Sequence, residues 1–229
     1  MIGIIAAMQF EAQAIKNKLE NAETRVISGV EYATGKLFGK NVVCAVCGIG
    51  KVNAAVCTQT MILAYRPDVV INTGVGGGLD KTLRVFDVVA GTSAVQHDVD
   101  TTAIGDGIGF VSTVNKTFFM LDEDLKRKLV SSMRDMGVNE REGIIATGDQ
   151  FVCNADRKKW IIDTFGASVC DMEGCAIAHT CCLNDIPCAV LRAISDSANE
   201  EASMSYEEFA KKAAEQSVKV LFRYVEAYA

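Results

Sequence analysis

Three carboxylates in this sequence follow apolar runs, at positions where a side chain could donate or accept a proton. Glu11 comes after the run Ile2–Ala6, Glu173 after Val169–Asp171, and Asp196 at the end of a third run. Carboxyl groups held at chosen pKa values serve as general acids and bases. Each position also fits a plainer role, since an acid in the first turn of a helix complements the helix dipole.

An arginine occurs inside the third apolar run, where an unpaired charge would be costly. Arg192 precedes Ser195 and Asp196. We therefore expect Arg192 to pair with a buried carboxylate, and Glu173 is the predicted partner. The pair would be either an ion pair of the core or part of a site where both groups also meet a substrate.

Two nucleotide-binding motifs fail in the glycine-containing turn after residues 42–46. Gly48 and Gly50 begin a dinucleotide fingerprint, but Asn53 occupies the place of its third glycine. A phosphate-binding P-loop would need glycine at Ala45 and a hydroxyl at Val52. The glycines between 74 and 78 could form a flexible loop or let the backbone approach a ligand closely.

The elements that must position these residues alternate between short β-branched runs and helical patterns, which predicts one α/β domain over residues 1–229. Its central sheet should be mostly parallel, twisted and flanked by helices. Predicted strands cover residues 2–6, 31–38, 42–46, 68–72, 85–95, 144–146, 169–171 and 189–194. Predicted helices cover residues 9–20, 52–65, 121–136, 172–183 and the segment from Ser205, which Glu208 would help to cap.

The carboxyl ends of the strands are where ligands gather in open α/β sheets. The residues just after the predicted strands are therefore expected to form one site. They are Glu11, Ile49, the glycines at 74–78, Phe151, Met172, Glu173, Ser195 and Asp196.

Composition excludes several classes of partner. The 229 residues include 23 basic and 29 acidic side chains, a formal charge of −6, which disfavours a nucleic acid polymer as ligand. No apolar run reaches the ~20 residues that span a bilayer, and the opening residues lack a secretory signal. Nine cysteines, mostly in apolar runs, indicate reduced thiols rather than disulfides or a metal site. We expect a cytoplasmic protein without metal or membrane attachment.

Seven short motifs follow one another along nearly the whole chain: residues 3–8 with Glu11, residues 48–52, residues 72–74 with Gly77 and Gly78, His97-Asp98 with Asp100, Gly148-Asp149 with Phe151, Met172-Glu173 with residues 176–179, and residues 192–196. Taken in this order, they resemble the motifs of the 5′-methylthioadenosine/S-adenosylhomocysteine nucleosidases, within the purine nucleoside phosphorylase superfamily. The resemblance implies a nucleoside phosphorylase-like fold and no cofactor. It also implies a homodimer that acts in methionine salvage.

The resemblance further implies the chemistry and the role of each residue. Glu11 would be the general base for water, and Asp196, beside Ser195, would protonate the five-membered ring of adenine. Cleavage of an N-glycosidic bond passes through an oxocarbenium-like sugar, so an acid and a base on opposite sides are useful. Burial would raise the pKa of Asp196 towards the protonated state that this role requires.

The remaining roles that the resemblance implies concern substrate binding. Phe151 would stack on the purine and the Val152 backbone would read its edge, while Gly77 would approach the ligand through its backbone. The ribose would be held by Met172 and Glu173, with Arg192 nearby. The pocket for the 5′ group would be bordered by Met8, Ile49 and Tyr206.

Phosphorylases of the same superfamily attack with phosphate, which needs cationic donors near the sugar. The loop after the first strand contains Glu11 and no arginine, so we expect water to be the nucleophile. Alternatives are another nucleoside of the superfamily, such as a futalosine-type substrate, or a binding protein without catalysis. The sequence departs from the family at Val75, usually serine, at Gln9-Phe10, at Gly174, usually alanine, and over residues 104–119.

Overall fold

The computed structural model describes residues 1–196 and 206–229, and the side chains of residues 1–195 and 207–229. Within them lie ten strands and six α-helices. The strands are β1 Ile2–Ala6, β2 Glu20–Ile27, β3 Val30–Leu37, β4 Lys40–Val46, β5 Val69–Gly78, β6 Val88–Gln96, β7 Phe118–Met120, β8 Glu140–Thr147, β9 Val169–Asp171 and β10 Cys188–Asp196. The helices are α1 Gln9–Lys18, α2 Lys51–Tyr65, α3 Glu123–Asp135, α4 Ala155–Phe165, α5 Gly174–Leu183 and α6 Tyr206–Ala227.

These ten strands join one mixed sheet. β1 lies between β4 and β5 and is parallel to both. From β5 the pairing continues through β10, β6, β8 and β9 and returns to β5, which closes a ring of five strands. The α/β fold with a central sheet is thus confirmed, and its mixed character comes from antiparallel pairs such as β10 with β6 and β9 with β5.

Helices cover the sheet on both faces, which explains why β1 is buried along its whole length. On one face α1, α3 and α6 contribute to a core that contains Ile4, Leu129 and Leu221. On the other, α2 and α5 pack together over a second core. A third, smaller cluster lies beneath α4 and includes Ile161.

The glycines predicted to follow the fifth strand belong to the strand itself, since β5 runs to Gly78. A flexible loop is therefore the wrong interpretation of this run. The backbone is crowded here: a Cβ on Gly76 would lie 2.6 Å from Cγ1 of Val169 and 3.0 Å from the Cys170 carbonyl oxygen. Glycine is required because β9 and β10 approach β5 so closely.

Three elements escaped the sequence analysis. β2 is exposed over nearly its whole length and polar, so it carries no apolar alternation. β7 has only three residues and overlaps the end of the segment 104–119, whose match to the family is poor. α4 follows the predicted site loop and begins after Asn154, which caps it.

The Ser205 cap of the last helix lies outside the described residues. Seven of the nine cysteines are buried. Across the described part of the chain, every helix is too short or too polar to cross a bilayer.

Candidate active site

A cavity of about 160 Å³ opens at the carboxyl ends of β1, β5, β9 and β10. Nine of the twelve predicted site residues line it: Met8, Glu11, Ile49, Gly77, Phe151, Val152, Met172, Glu173 and Ser195. Arg192 lies buried beside it rather than on its wall. The side chains of Asp196 and Tyr206 lie outside the described residues.

Glu11 is the most enclosed of the acids on the cavity wall, with only 2% of its surface exposed. The amides of Ala7 and Met8 donate to its Oε2, at 2.9 and 2.8 Å. The Val75 amide, from the neighbouring strand β5, donates to Oε1 at 3.0 Å. Because three backbone groups from two elements fix it, the carboxylate has a defined position in the cavity.

Glycine at residue 74 makes room for that carboxylate. A Cβ at this position would lie 2.6 Å from Oε1 of Glu11. Such an approach is far inside van der Waals contact, so any other residue would displace the acid. The position of the Glu11 carboxylate therefore explains why residue 74 is glycine.

Burial raises the pKa of Glu11, against the opposing effect of the hydrogen bonds from Met8, Val75 and Ala7. An ionised carboxylate has about four acceptor sites, and three are occupied by these amides. Among the contacts of the described residues, one acceptor site therefore remains for a water molecule. A base with a raised pKa also accepts a proton more readily at neutral pH.

Arg192 does pair with a buried carboxylate, but the predicted partner Glu173 is wrong. Its Nη2 lies 2.6 Å from Oδ2 of Asp171, and its Nε donates to the same oxygen at 2.9 Å. Nη2 also donates to the side-chain oxygen of Asn72. Because Arg192 is only 1% exposed and fully engaged, its immediate role is to neutralise and orient Asp171.

Asp171 is a site residue that the sequence analysis missed. It lines the cavity and, besides Arg192, it accepts hydrogen bonds from the Thr147 hydroxyl and the Gly174 amide. A Cβ on Gly174 would lie 2.5 Å from Oδ2 of Asp171. The departure from alanine at residue 174 thus accommodates this carboxylate. The sequence signal for Asp171 is its position at the end of β9, directly before Met172 and Glu173.

Glu173 belongs to a different contact. Its Oε1 accepts from the Gly50 amide at 2.8 Å, and within the part of the chain that the structure describes Oε2 is available to a ligand. Burial and the nearby charge of Asp171 raise the pKa of Glu173 to about 7. The backbone of Gly50 has a φ of 99°, which glycine adopts without strain.

Phe151 and Val152, both on the cavity wall, differ in exposure. Phe151 is 60% exposed at the mouth of the cavity, whereas Val152 is buried. An exposed aromatic ring at a cavity mouth offers a flat apolar surface. Ile49 is likewise exposed beside the opening.

The backbone of β10 enters the site through an irregularity. The pairing with β5 shifts register after Ile194, and Asp196 then lies opposite Gly77. The Ser195 hydroxyl donates to the Gly76 carbonyl at 3.4 Å. The backbone of Asp196 therefore reaches the cavity wall.

Other cavity-lining residues that the sequence analysis did not assign as binding residues are Ala7, Val75, Gly76, Gln150 and Cys170. The described wall carries acids and no lysine or arginine. Among the side chains that the structure describes, no three histidines, cysteines or acids are grouped so as to hold a metal ion. The arrangement can hold a water on a buried base next to a small polar and aromatic ligand.

Known proteins resemble this chain over its whole length. The model of the phosphorylase superfamily matches residues 1–226. The 5′-methylthioadenosine/S-adenosylhomocysteine nucleosidase of Shewanella sediminis is 37% identical over 227 residues, which cover 98% of each chain.

Solved structures agree. The nucleosidase of the same name from Neisseria meningitidis, in complex with methylthio-immucillin-A, has a TM-score of 0.94 and 38% identity, covering 99% of this chain and 98% of that one. The futalosine hydrolase of Helicobacter pylori has a TM-score of 0.93 and 36% identity, with 98% and 97% covered. This chain therefore belongs to the phosphorylase superfamily and, within it, to the 5′-methylthioadenosine/S-adenosylhomocysteine nucleosidase family.

Proposed function

We infer that this protein hydrolyses the N-glycosidic bond of 5′-methylthioadenosine and S-adenosylhomocysteine and releases adenine and the 5′-substituted ribose. The observation that carries this function is the position of Glu11. A buried carboxylate, with one acceptor site left by the described residues, lies in the cavity of a chain that shares 37% identity with a nucleosidase of that name. 5′-Deoxyadenosine fits the same description as a smaller substrate.

Glu11 is proposed as the general base. A water bound to its remaining acceptor site gives up a proton to the carboxylate while its oxygen bonds to C1′ of the ribose. The bond from C1′ to the adenine nitrogen breaks in the same process, through an oxocarbenium-like sugar. The three amides hold the base still, so little reorganisation is needed as charge develops.

Asp196 is proposed as the general acid that protonates the five-membered ring of adenine, so that the base leaves neutral. Support comes from the family motif of residues 192–196 and from the backbone, which lies opposite Gly77 on the cavity wall. Ser195, beside it, is proposed to orient the acid.

The other proposed roles are contacts with the ribose, the purine and the 5′ group. Glu173 accepts hydrogen bonds from the ribose hydroxyls through Oε2, with Met172 against the sugar, and Arg192 acts indirectly by fixing Asp171. Phe151 stacks on the purine while the backbones of Val152 and Gly77 approach it. Met8, Ile49 and Tyr206 are proposed for the 5′ group.

Water is favoured over phosphate as the nucleophile by the charges around the cavity. Glu11 and Glu173 lie on its wall and would repel a phosphate dianion when they are ionised, whereas Asp171 is paired with Arg192. The buried cation beside the cavity, Arg192, is committed to Asp171 and Asn72. A futalosine-type substrate is the second candidate, because a futalosine hydrolase shares the fold at 36% identity and Val75 departs from the usual serine.

Three finer statements belong to this proposal and are supported by the resemblance to the family. We propose that the protein is a homodimer, acts in the cytoplasm and serves methionine salvage.

The function is tested by incubating the purified protein with methylthioadenosine, adenosylhomocysteine, adenosine, inosine and futalosine in phosphate-free buffer. Free base is measured by chromatography. Adenine is expected from the first two, at the highest kcat/KM of the series. Preference for futalosine would replace the proposed substrate, and a requirement for phosphate would contradict hydrolysis.

The same assay tests the proposed acid. Asp196→Asn cannot supply the ring proton, so kcat is expected to fall about 10²–10⁴-fold. Turnover close to that of the unaltered protein would remove Asp196 from this role.

Gly74→Ala should displace the Glu11 carboxylate, because the new Cβ would lie 2.6 Å from Oε1. We expect kcat with methylthioadenosine to fall about 100-fold, since a misplaced catalytic group loses most of its effect. Steady-state kinetics on folded protein measure this.

Gly35→Ala provides the matched control. Gly35 lies in β3, outside the cavity, and a Cβ on it would lie 2.8 Å from the Glu20 carbonyl oxygen. This variant should lower the melting temperature but keep kcat. An equal loss of kcat in both variants would show that the effect is general destabilisation.

Glu173 should make substrate affinity depend on pH. Its pKa is raised to about 7, so the carboxylate is ionised above pH 7 and becomes protonated below it. Because ribose hydroxyls donate to the ionised form, KM should rise as pH falls from 8 to 5.5. In Glu173→Gln the KM should be higher and this pH dependence should disappear; an unchanged profile would contradict the assignment.

A further inference from the structure

Two consecutive amides at the start of α2 donate to carboxylates from two separate segments of the chain, one on the cavity wall and one next to it. The Gly50 amide donates to Oε1 of Glu173 at 2.8 Å, and the Lys51 amide donates to Oδ1 of Asp149 at 2.8 Å. Glu173 is the proposed ribose ligand, whereas Asp149 directly precedes the cavity-lining residues 150–152. One helical turn therefore connects both halves of the site.

Asp149 is itself held in a closed ring of three residues. Its amide donates to Oδ2 of Asp98 at 2.9 Å. Oδ1 of Asp98 accepts from Nζ of Lys51 at 2.7 Å, and Lys51 returns to Asp149 through its backbone amide. The Lys51 ammonium also donates to Gln96 at 3.1 Å. Each member of the ring is thus fixed by the other two.

Close packing on both sides limits how this ring can move. A Cβ on Gly50 would lie 3.1 Å from Oδ1 of Asp149, and one on Gly148 would lie 2.4 Å from Cε1 of the fully buried His97. The side chains of Lys51 and Asp98 are only 18% and 15% exposed. Partial burial strengthens the contact between Lys51 and Asp98 relative to contacts at the open surface, whereas Asp149 itself is exposed.

We propose that Asp149 is a positioning residue, which sets the distance between the purine-binding residues Phe151 and Val152 and the ribose-binding Glu173. It acts through the first turn of α2 and touches no reacting atom. The proposal rests on the proposed function for the names of the two subsites. Displacement of a binding element by about 1 Å is enough to weaken a productive complex substantially.

The test compares Asp149→Ala with Asp149→Asn. Alanine removes the acceptor of the Lys51 amide, whereas asparagine keeps an oxygen at the same place. For methylthioadenosine, alanine should raise KM about tenfold with less than about a threefold change in kcat. Asparagine should restore KM to within about threefold of the unaltered protein. Equal KM values in all three proteins would overturn the proposal.

Asp122→Ala is the matched control. The Asp122 side chain caps α3 by accepting from the Leu125 amide at 2.8 Å, and it does not line the cavity. Both alanine variants thus remove one carboxylate from the amides of a helix start. The control should lose thermal stability and keep its KM. A rise in KM of similar size in the control would make the role of Asp149 merely structural.

Hydrogen exchange in the substrate-free protein separates this proposal from the proposed function. In Asp149→Ala, amides within residues 148–153 and at Lys51 should exchange faster than in the unaltered protein and in Asp149→Asn. If the unaltered protein releases no adenine, the proposed function fails. The exchange experiment still shows whether Asp149 fixes residues 148–153 and the start of α2. Unchanged exchange in Asp149→Ala would overturn the proposal for Asp149.

Discussion

The rest of the site depends on the cost of burying several carboxylates around one small cavity. Glu11, Asp171 and Glu173 are all buried on its wall, and a buried charge is tolerated only when it is paired and hydrogen-bonded. Backbone amides stabilise the Glu11 carboxylate, and the Arg192 guanidinium stabilises Asp171. Glu173 accepts from one amide, and the pKa of its carboxyl is raised. The positions of the nearby glycines follow from these contacts.

The topology of the sheet makes these contacts compatible. Because β5 lies between β1 and β10, its backbone reaches Glu11 on one side and Arg192 approaches from the other. The antiparallel strand β9 brings Asp171 against Arg192 and starts α5 at Glu173. The result is a cavity lined by acids, and the buried cation beside it, Arg192, is already neutralised by Asp171. Such a cavity suits a neutral nucleoside and a water molecule better than a phosphate dianion.

Much of this could be predicted from the sequence, because strand ends in α/β sheets converge. That rule brought Glu11, Phe151, Glu173 and Ser195 to one cavity. The sequence also indicated that Arg192 needs an acid, but burial alone does not say which one. Asp171 and Glu173 are two residues apart, and only the pairing of β9 with β5 and β8 decides that Asp171 meets the arginine. β2 carries no sequence signal, since an exposed edge strand needs no apolar face. The predicted strand at β5 ends too early because a run of glycines resembles a loop.

In the proposed reaction a water held by Glu11, and not phosphate, takes the place of adenine on the sugar. Turnover of methylthioadenosine in ¹⁸O-labelled water that also contains millimolar phosphate tests it directly, with mass spectrometry of the sugar product. One ¹⁸O atom is expected in methylthioribose, with no sugar phosphate formed. Methylthioribose 1-phosphate without the label would contradict it.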